Sequence, residues 1–437
     1  MLAKVSNLLK RFPTLWRIMV RIYGAQPFNP AKAKYQKKFG VDFNHKAEMQ
    51  ELSVIFDAQC LQTPTRKRGI GRYSISLIAA VCAEQPEKKF GVLLTTLTNR
   101  HDFEEALNEL EVLNCPNLHV IIFDPFDNCE IVSFLQAQKD LESFLLSFKP
   151  AVIISLSSFE KLSCTIPISY SNSYKRLGVL YDLIRLQYKN DLLVSNYQVT
   201  GYQWALTNLH TSDSILSISH ESEAGWRSLV AKDSKIRVVY GAGYRKGTLK
   251  HSALSVMRSG ILCVGAEQRH KNIANLIKAY SLLDPSLRAS HELTILGIHA
   301  IGARAKLKRF AKSLNISIKL PGYVNNVELE QLYSSNKLLV MPSLAEGLSM
   351  PILEAWEMGL PAVGSAGTVA EELIVDSDLL FDPNDVSSIA ATIQNMLNNE
   401  FAWQQAAKTA SEKVSHYSWK KTAKLVLEVV SEETKSD

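Results

Sequence analysis

The stretch from Leu338 to Val363 constrains this chain most. Leu338-Leu339-Val340-Met341 is a short apolar run that reads as a buried parallel strand, and it stops at Pro342-Ser343. A loop containing Glu346-Gly347-Leu348-Ser349 follows, and then Met350-Pro351-Ile352-Leu353-Glu354, with Pro351 placed where a proline opens a helix. Gly359 is placed to close that helix, and Pro361-Ala362-Val363 begins the next strand. The pattern is one βαβ unit. Its loop aims backbone N–H groups and the positive end of a helix above the sheet, a setting that suits a phosphate or pyrophosphate. On this reading Glu354, on the first helical turn, accepts hydrogen bonds from a ribose, and Glu346 in the loop faces a bound sugar.

A chain of 437 residues exceeds the usual size of one hydrophobic core, so two domains are expected. The apolar and charged fractions, 46% and 21%, are those of an ordinary soluble protein. Six cysteines are scattered without a C-x-x-C pair, and no histidines cluster at ligand spacing, so the expectation is a reducing cytoplasm and no structural zinc. No run of about eighteen apolar residues occurs, and the N-terminus has no compact apolar core with a cleavage site.

The net charge of +6 is uneven. The first fifty residues hold Lys4, Lys10, Arg11, Arg17, Arg21, Lys32, Lys34, Lys37, Lys38 and Lys46, while Leu8, Leu9, Phe12, Leu15, Trp16 and Met19 recur at helical spacing. Residues 1–48 therefore read as a basic amphipathic arm. Two readings stay open: residues 1–45 lie on an anionic membrane surface, or they form an extra helix packed on the following domain with a solvated basic face. Nucleic acid is not an expected partner, since the basic residues lack a recognition module or an interleaved aromatic platform.

Beyond the arm, Leu52–Asp57, Phe90–Leu94, His119–Phe123, Ala151–Ser155, Leu177–Ile184 and Ser212–Ser219 read as strands alternating with helical patterns. That alternation implies a doubly wound parallel sheet. Ile236–Gly243 leads into a linker, and Gly260–Val264 begins a second sheet. Between the first strand and the helix opened by Gly69-Ile70-Gly71-Arg72-Tyr73 lies a long, polar, basic loop. A Gly-x-Gly of this kind is either a ligand-facing element or simply a tight strand-to-helix turn.

Taken together, these residues resemble the retaining family-4 glycosyltransferases of the GT-B fold. Glu346 and Glu354 match that family's paired glutamates, Val264 to Asn272 its basic loop, and Pro321-Gly322-Tyr323-Val324, with Leu329 to Tyr333 following, its glycine-containing strand end and the helix after it. Gly364 to Thr368 and the acidic pair Glu371-Glu372 also fall in place. Asp57 to Tyr73 resembles a subgroup that builds bacterial surface polysaccharides, including many mannosyltransferases. The resemblance implies two Rossmann-like domains facing across a cleft: an acceptor domain over 49–245, a nucleotide-sugar domain over 246–415, and a helix over 416–437 crossing back to the first domain.

It further implies transfer of a hexosyl group, mannose as first choice and GDP-mannose as donor, to a glycan or lipid-linked acceptor in O-antigen or capsule synthesis, at the inner face of the cytoplasmic membrane. The reaction retains the anomeric configuration and needs neither metal nor cofactor. Arg269 and Lys271 would neutralise the departing diphosphate, with Glu346 at the sugar. Glu354, Gly347, Leu348, Ser349, Met350, Tyr323 and Val324 would bind the donor, while Gly69, Gly71 and Arg72 would form a cleft loop. Tyr181 and Asp182 stand in the family's His-Asp-Leu-Ile-Pro segment, with Tyr181 replacing the histidine and Arg185 the proline. Tyr181 can donate a hydrogen bond but cannot act as a base near neutral pH, and it also reads as an aromatic packing at a strand end. The rival readings are a non-catalytic binding subunit of the same fold and a GT-B sugar epimerase.

Overall fold

The computed structural model describes residues 51–125, 134–160, 164–243, 258–265 and 267–435. The basic arm and most of the linker lie outside the described residues. The chain forms two compact units, one of residues 1–239 with 419–437 and one of residues 240–418. The divisions fall at Val239–Tyr240 and Ser418–Trp419, against the expected 245 and 415.

The first unit holds a seven-stranded, all-parallel sheet in the order β3-β2-β1-β4-β5-β6-β7. Its strands are β1 (Val54–Asp57), β2 (Phe90–Thr95), β3 (Leu118–Phe123), β4 (Val152–Ser155), β5 (Lys175–Leu180), β6 (Ser214–Ser217) and β7 (Ile236–Val238). The central strands are buried along their whole length, which is why they read as unbroken apolar runs. Two expectations need correction. Leu177–Ile184 is not all strand, since β5 ends at Leu180 and a new helix starts at Ile184. Ile236–Val238, read only as leading into the linker, is an edge strand paired with β6, too short and too half-buried to show alternation.

In the same unit the C-terminal helix Trp419–Lys435 packs on the helix Gly69–Glu84. Tyr73 joins the two ends of this unit: its ring meets Trp419 edge-on at 5.1 Å, and its hydroxyl donates to the Val239 carbonyl at 2.8 Å. At the far end of the C-terminal helix, buried Glu433 receives Ser214 and Lys235.

The second unit has a five-stranded parallel sheet ordered β12-β11-β10-β8-β9. These are β8 (Ile261–Val264), β9 (Leu293–Leu296), β10 (Leu338–Met341), β11 (Ala362–Ser365) and β12 (Leu380–Phe381). The residues around Pro321 are not a strand end; the nearest sheet contact is a single bridge from Lys319 to Thr294. The helix after β10 runs Met350–Glu357 and ends in a Schellman turn: Gly359 (φ 66°) donates to Trp356 and Leu360 donates to Ala355.

Candidate functional site

In a doubly wound sheet, ligands collect where two neighbouring strands send their following loops in opposite directions. In the second unit that point lies between β8 and β10, which pair directly, with β9 outside one and β11 outside the other. The loop after β8 is the 3-10 turn Arg269–Lys271, and the loop after β10 carries Glu346.

The two loops are bound into one cluster. Lys271 Nζ lies 2.8 Å from both oxygens of Glu346, and Ser343 Oγ donates to Glu346 Oε1 at 2.6 Å. Both charged side chains keep a little exposure, 19% for Lys271 and 10% for Glu346. The backbone reinforces the junction, because Leu344 N–H donates to the His270 carbonyl at 2.7 Å. Asn272, left-handed at φ 56°, donates from its amide to the carbonyls of Pro342 and Pro383. Asparagine tolerates that conformation better than most side chains do. His270 is buried between the flanking basic residues, and burial followed by the Lys271 charge holds its imidazole below the ordinary value.

The helix N-terminus completes the site. Ser349 is the N-cap, again left-handed (φ 52°), so its side chain does not cap the helix. Its hydroxyl is buried without a hydrogen-bond partner. Pro351 is the second helical residue rather than the first, and Glu354 therefore lies on the second turn. Glu354 is buried, and Tyr333 from the helix Asn326–Ser335 donates to its Oε2 at 2.7 Å. Gly347 is half-buried, Leu348 is buried and Met350 is half-buried. Arg269 and Tyr323 are exposed, Tyr323 at 76%, and Val324 is half-buried.

The remaining predicted residues lie in the first unit. Tyr181 is buried beyond β5, its hydroxyl 3.3 Å from Ser74 and its ring edge-on to Tyr73 at 5.5 Å. Burial pushes its phenol well above the ordinary value, so it is neutral at neutral pH. Asp182 accepts from Ile184 N–H at 3.0 Å, just ahead of the short helix Ile184–Gln187. Gly69 opens its helix into free space. At Gly71 an added Cβ would meet the Arg66 carbonyl oxygen at 2.1 Å, so backbone contact alone requires a glycine there. Arg72, next to it, is half-buried.

The loop before Gly69 is not open chain. It folds into two 3-10 turns, Gln59–Gln62 and Pro64–Lys67, and Arg66 is buried against Leu61, Asp102 and Glu105. Sequence reasoning also passed over Ser343, Asn272 and Tyr333 as site residues. Only Asn272, beside a basic turn, carried a local signal, its tolerance of left-handed backbone; the other two act through contacts distant in sequence.

Comparison with known proteins places this geometry in a class. Residues 249–429 match the family described as Glycosyl transferases group 1, so the second half of the chain carries a glycosyltransferase group 1 domain, and the two parallel-sheet units are those of the GT-B glycosyltransferase fold. The chain is similar to the serotype-specific mannosyltransferase WbdA of Escherichia coli, 25% identical over 401 residues, covering 86% of this chain and 48% of that protein. It is also similar to the O-antigen chain mannosyltransferase B of Escherichia coli, 32% identical over 160 residues, which cover 36% of this chain and 42% of that protein. A structure of Anabaena HepE in complex with UDP and glucose aligns at a TM-score of 0.62 and 14% identity, over 87% of this chain and 99% of that one. The chain spans about half the length, or less, of the curated relatives it matches.

Proposed function

We propose that this chain is a retaining hexosyltransferase that moves mannose from GDP-mannose to a glycan or lipid-linked acceptor of a surface polysaccharide. The observation that carries this reading is the cluster of Lys271, Glu346 and Ser343 beside the unpartnered Ser349 hydroxyl, at the switch point of the second sheet. A departing nucleoside diphosphate gains negative charge as the sugar–phosphate bond breaks, and preorganised donors lower that barrier. Lys271, Arg269, the Ser349 hydroxyl and the N–H groups from Gly347 onward supply such donors. Glu346, held by Lys271 and Ser343, faces the sugar, and Glu354 takes the ribose.

With the diphosphate oxygen receiving the acceptor proton on the same face, no protein base is required, which accords with a Tyr181 that cannot serve as one. The charge is met by cations of the protein, so the scheme runs without a metal ion. The similarity to two mannosyltransferases, one of them an O-antigen enzyme, supports mannose and O-antigen synthesis. Among the described residues no helix is long and apolar enough to cross a membrane. The basic, apolar-patterned arm of residues 1–45, outside the described residues, is the segment we assign to contact with a lipid-linked acceptor at the cytoplasmic face. Liposome flotation of the full-length and arm-deleted protein at low and high salt tests that part: equal flotation of both forms removes the arm as the anchor.

The reading as a whole is tested by incubating the protein with radiolabelled GDP-mannose and other nucleotide sugars. Slow release of labelled mannose, or its transfer to a mannose-terminated oligosaccharide with α-linkage, is expected. Thermal stabilisation by nucleoside diphosphates with no turnover of any sugar nucleotide would instead define a binding subunit.

A further inference from the structure

We infer that Tyr333 is a positioning residue that aims Glu354 at the ribose and so sets the preference for a ribonucleotide; this rests on the reading of Glu354 as the ribose partner. Tyr333 is 2% exposed, and its hydroxyl donates to Glu354 Oε2 at 2.7 Å. A glutamate left to itself samples several rotamers, and one fixed by a buried phenol presents its carboxylate in a single direction.

The residues around the pair hold it from behind. Arg258 donates to the Tyr333 carbonyl at 2.8 Å, to the Asn336 carbonyl at 3.2 Å and to the Met358 carbonyl at 2.6 Å. One guanidinium thus ties the end of the helix Asn326–Ser335 to the end of the helix Met350–Glu357, with Tyr333 and Glu354 between them. This lacing fixes the distance across which the phenol reaches the carboxylate. The helix N-terminus that would take the diphosphate begins four residues before Glu354, so a nucleotide seated there brings its ribose past the carboxylate that Tyr333 holds.

The experiment measures binding of GDP, UDP and their 2′,3′-dideoxy counterparts to the full-length protein by calorimetry, with wild type, Tyr333→Phe, Glu354→Gln and the double variant. Wild type should prefer the ribonucleotide by about tenfold or more, the effect of hydrogen bonds to a charged group. Tyr333→Phe keeps the ring and removes only the hydroxyl. It should shrink the preference to within about threefold while leaving dideoxynucleotide affinity unchanged, and the double variant should lose no more preference than Glu354→Gln alone. In turnover, Tyr333→Phe should raise KM for the donor and leave kcat within about twofold. A full ribose preference retained by Tyr333→Phe overturns this inference alone. A wild type that binds both nucleotides equally, or a Glu354→Gln protein that keeps the preference, overturns the ribose reading of Glu354 and this inference with it.

Discussion

Each unit has one strand-order switch point, between β1 and β4 in the first and between β8 and β10 in the second, and the chain treats them in opposite ways. At the first, Asp57 ends β1 and is 6% exposed. The Gln59 amide donates to it at 2.9 Å and also exchanges hydrogen bonds with both backbone groups of Ile166 at 2.7 and 2.8 Å. Glu160 nearby receives Thr63, Thr65 and Ser157. These carboxylates and amides serve the protein's own loops, although the Ser158 hydroxyl after β4 is buried without a hydrogen-bond partner. At the second switch point, Lys271 and Glu346 keep residual exposure and Ser349 keeps an unused hydroxyl. The same topology therefore yields a junction bonded largely to its own loops in one unit and one built on a partly exposed ion pair in the other. Substitutions at the first should change stability, and those at the second should change turnover.

The strongest way to break this contrast is Lys271→Ala. It should lower kcat/KM by roughly a hundred- to a thousandfold while the melting temperature stays near that of wild type. Wild-type turnover in a Lys271→Ala protein that still binds donor would show that the ion pair with Glu346 is only structural.

Next in size is Gly71→Ala in the first unit. Its added methyl group would overlap the Arg66 carbonyl, so the helix Gly69–Glu84 must shift and stability should fall by about 3–4 kcal/mol in urea unfolding. A fully stable Gly71→Ala protein with reduced turnover would instead make this turn part of the chemistry.

A smaller effect, with a defined sign, belongs to Asp57. Burial raises its carboxyl from the ordinary 3.8 to about 6, despite the opposing hydrogen bonds from Gln59. The folded state therefore holds a proton that the unfolded state releases first, and Asp57's contribution to stability declines as pH rises from about 4 to about 6, then levels off. Asp57→Asn keeps an oxygen that can accept from Gln59 and removes the titration. Between pH 4 and pH 7 the wild type should lose about 2–3 kcal/mol relative to this variant. Parallel stability–pH curves for the two proteins would mean that Asp57 is not the buried acid described here.

The smallest expected effect is none at all. Excess EDTA should leave the transfer rate unchanged, because in the proposed scheme the developing diphosphate charge is met by Lys271, Arg269 and the helix N-terminus. Activity that disappears with chelator and returns with magnesium or manganese would show that the cluster at the second switch point is incomplete without a cation.

Much of the second switch point was legible in the chain itself. An apolar run, Pro351 near a helix start and Gly359 past its end are local signals, and they located β10, the Met350–Glu357 helix and the loop between them. The basic turn could be read for the same reason, since its charges and the strand before it are contiguous in sequence. Short edge elements escaped: β7 and β12 are three and two residues long, and their positions depend on a neighbouring strand rather than on any periodicity of their own. Roles escaped for a related reason. Glycine at 71 has the same sequence signature whether a ligand or a carbonyl lies opposite, and only the approach of Arg66 decides between them.

The sequence by itself determined that two parallel α/β units form and where charged residues meet strand ends, because hydrophobic runs and helix caps act over a few residues. Only the tertiary structure decided which of those polar groups are used up. Lys271 finds Glu346 seventy-five residues away, Tyr333 finds Glu354 across two helices, and Gln59 reaches Ile166 from over a hundred residues off. Such pairings follow from strand order and from the exclusion of water at the sheet edge, and neither is written in any single stretch of the chain.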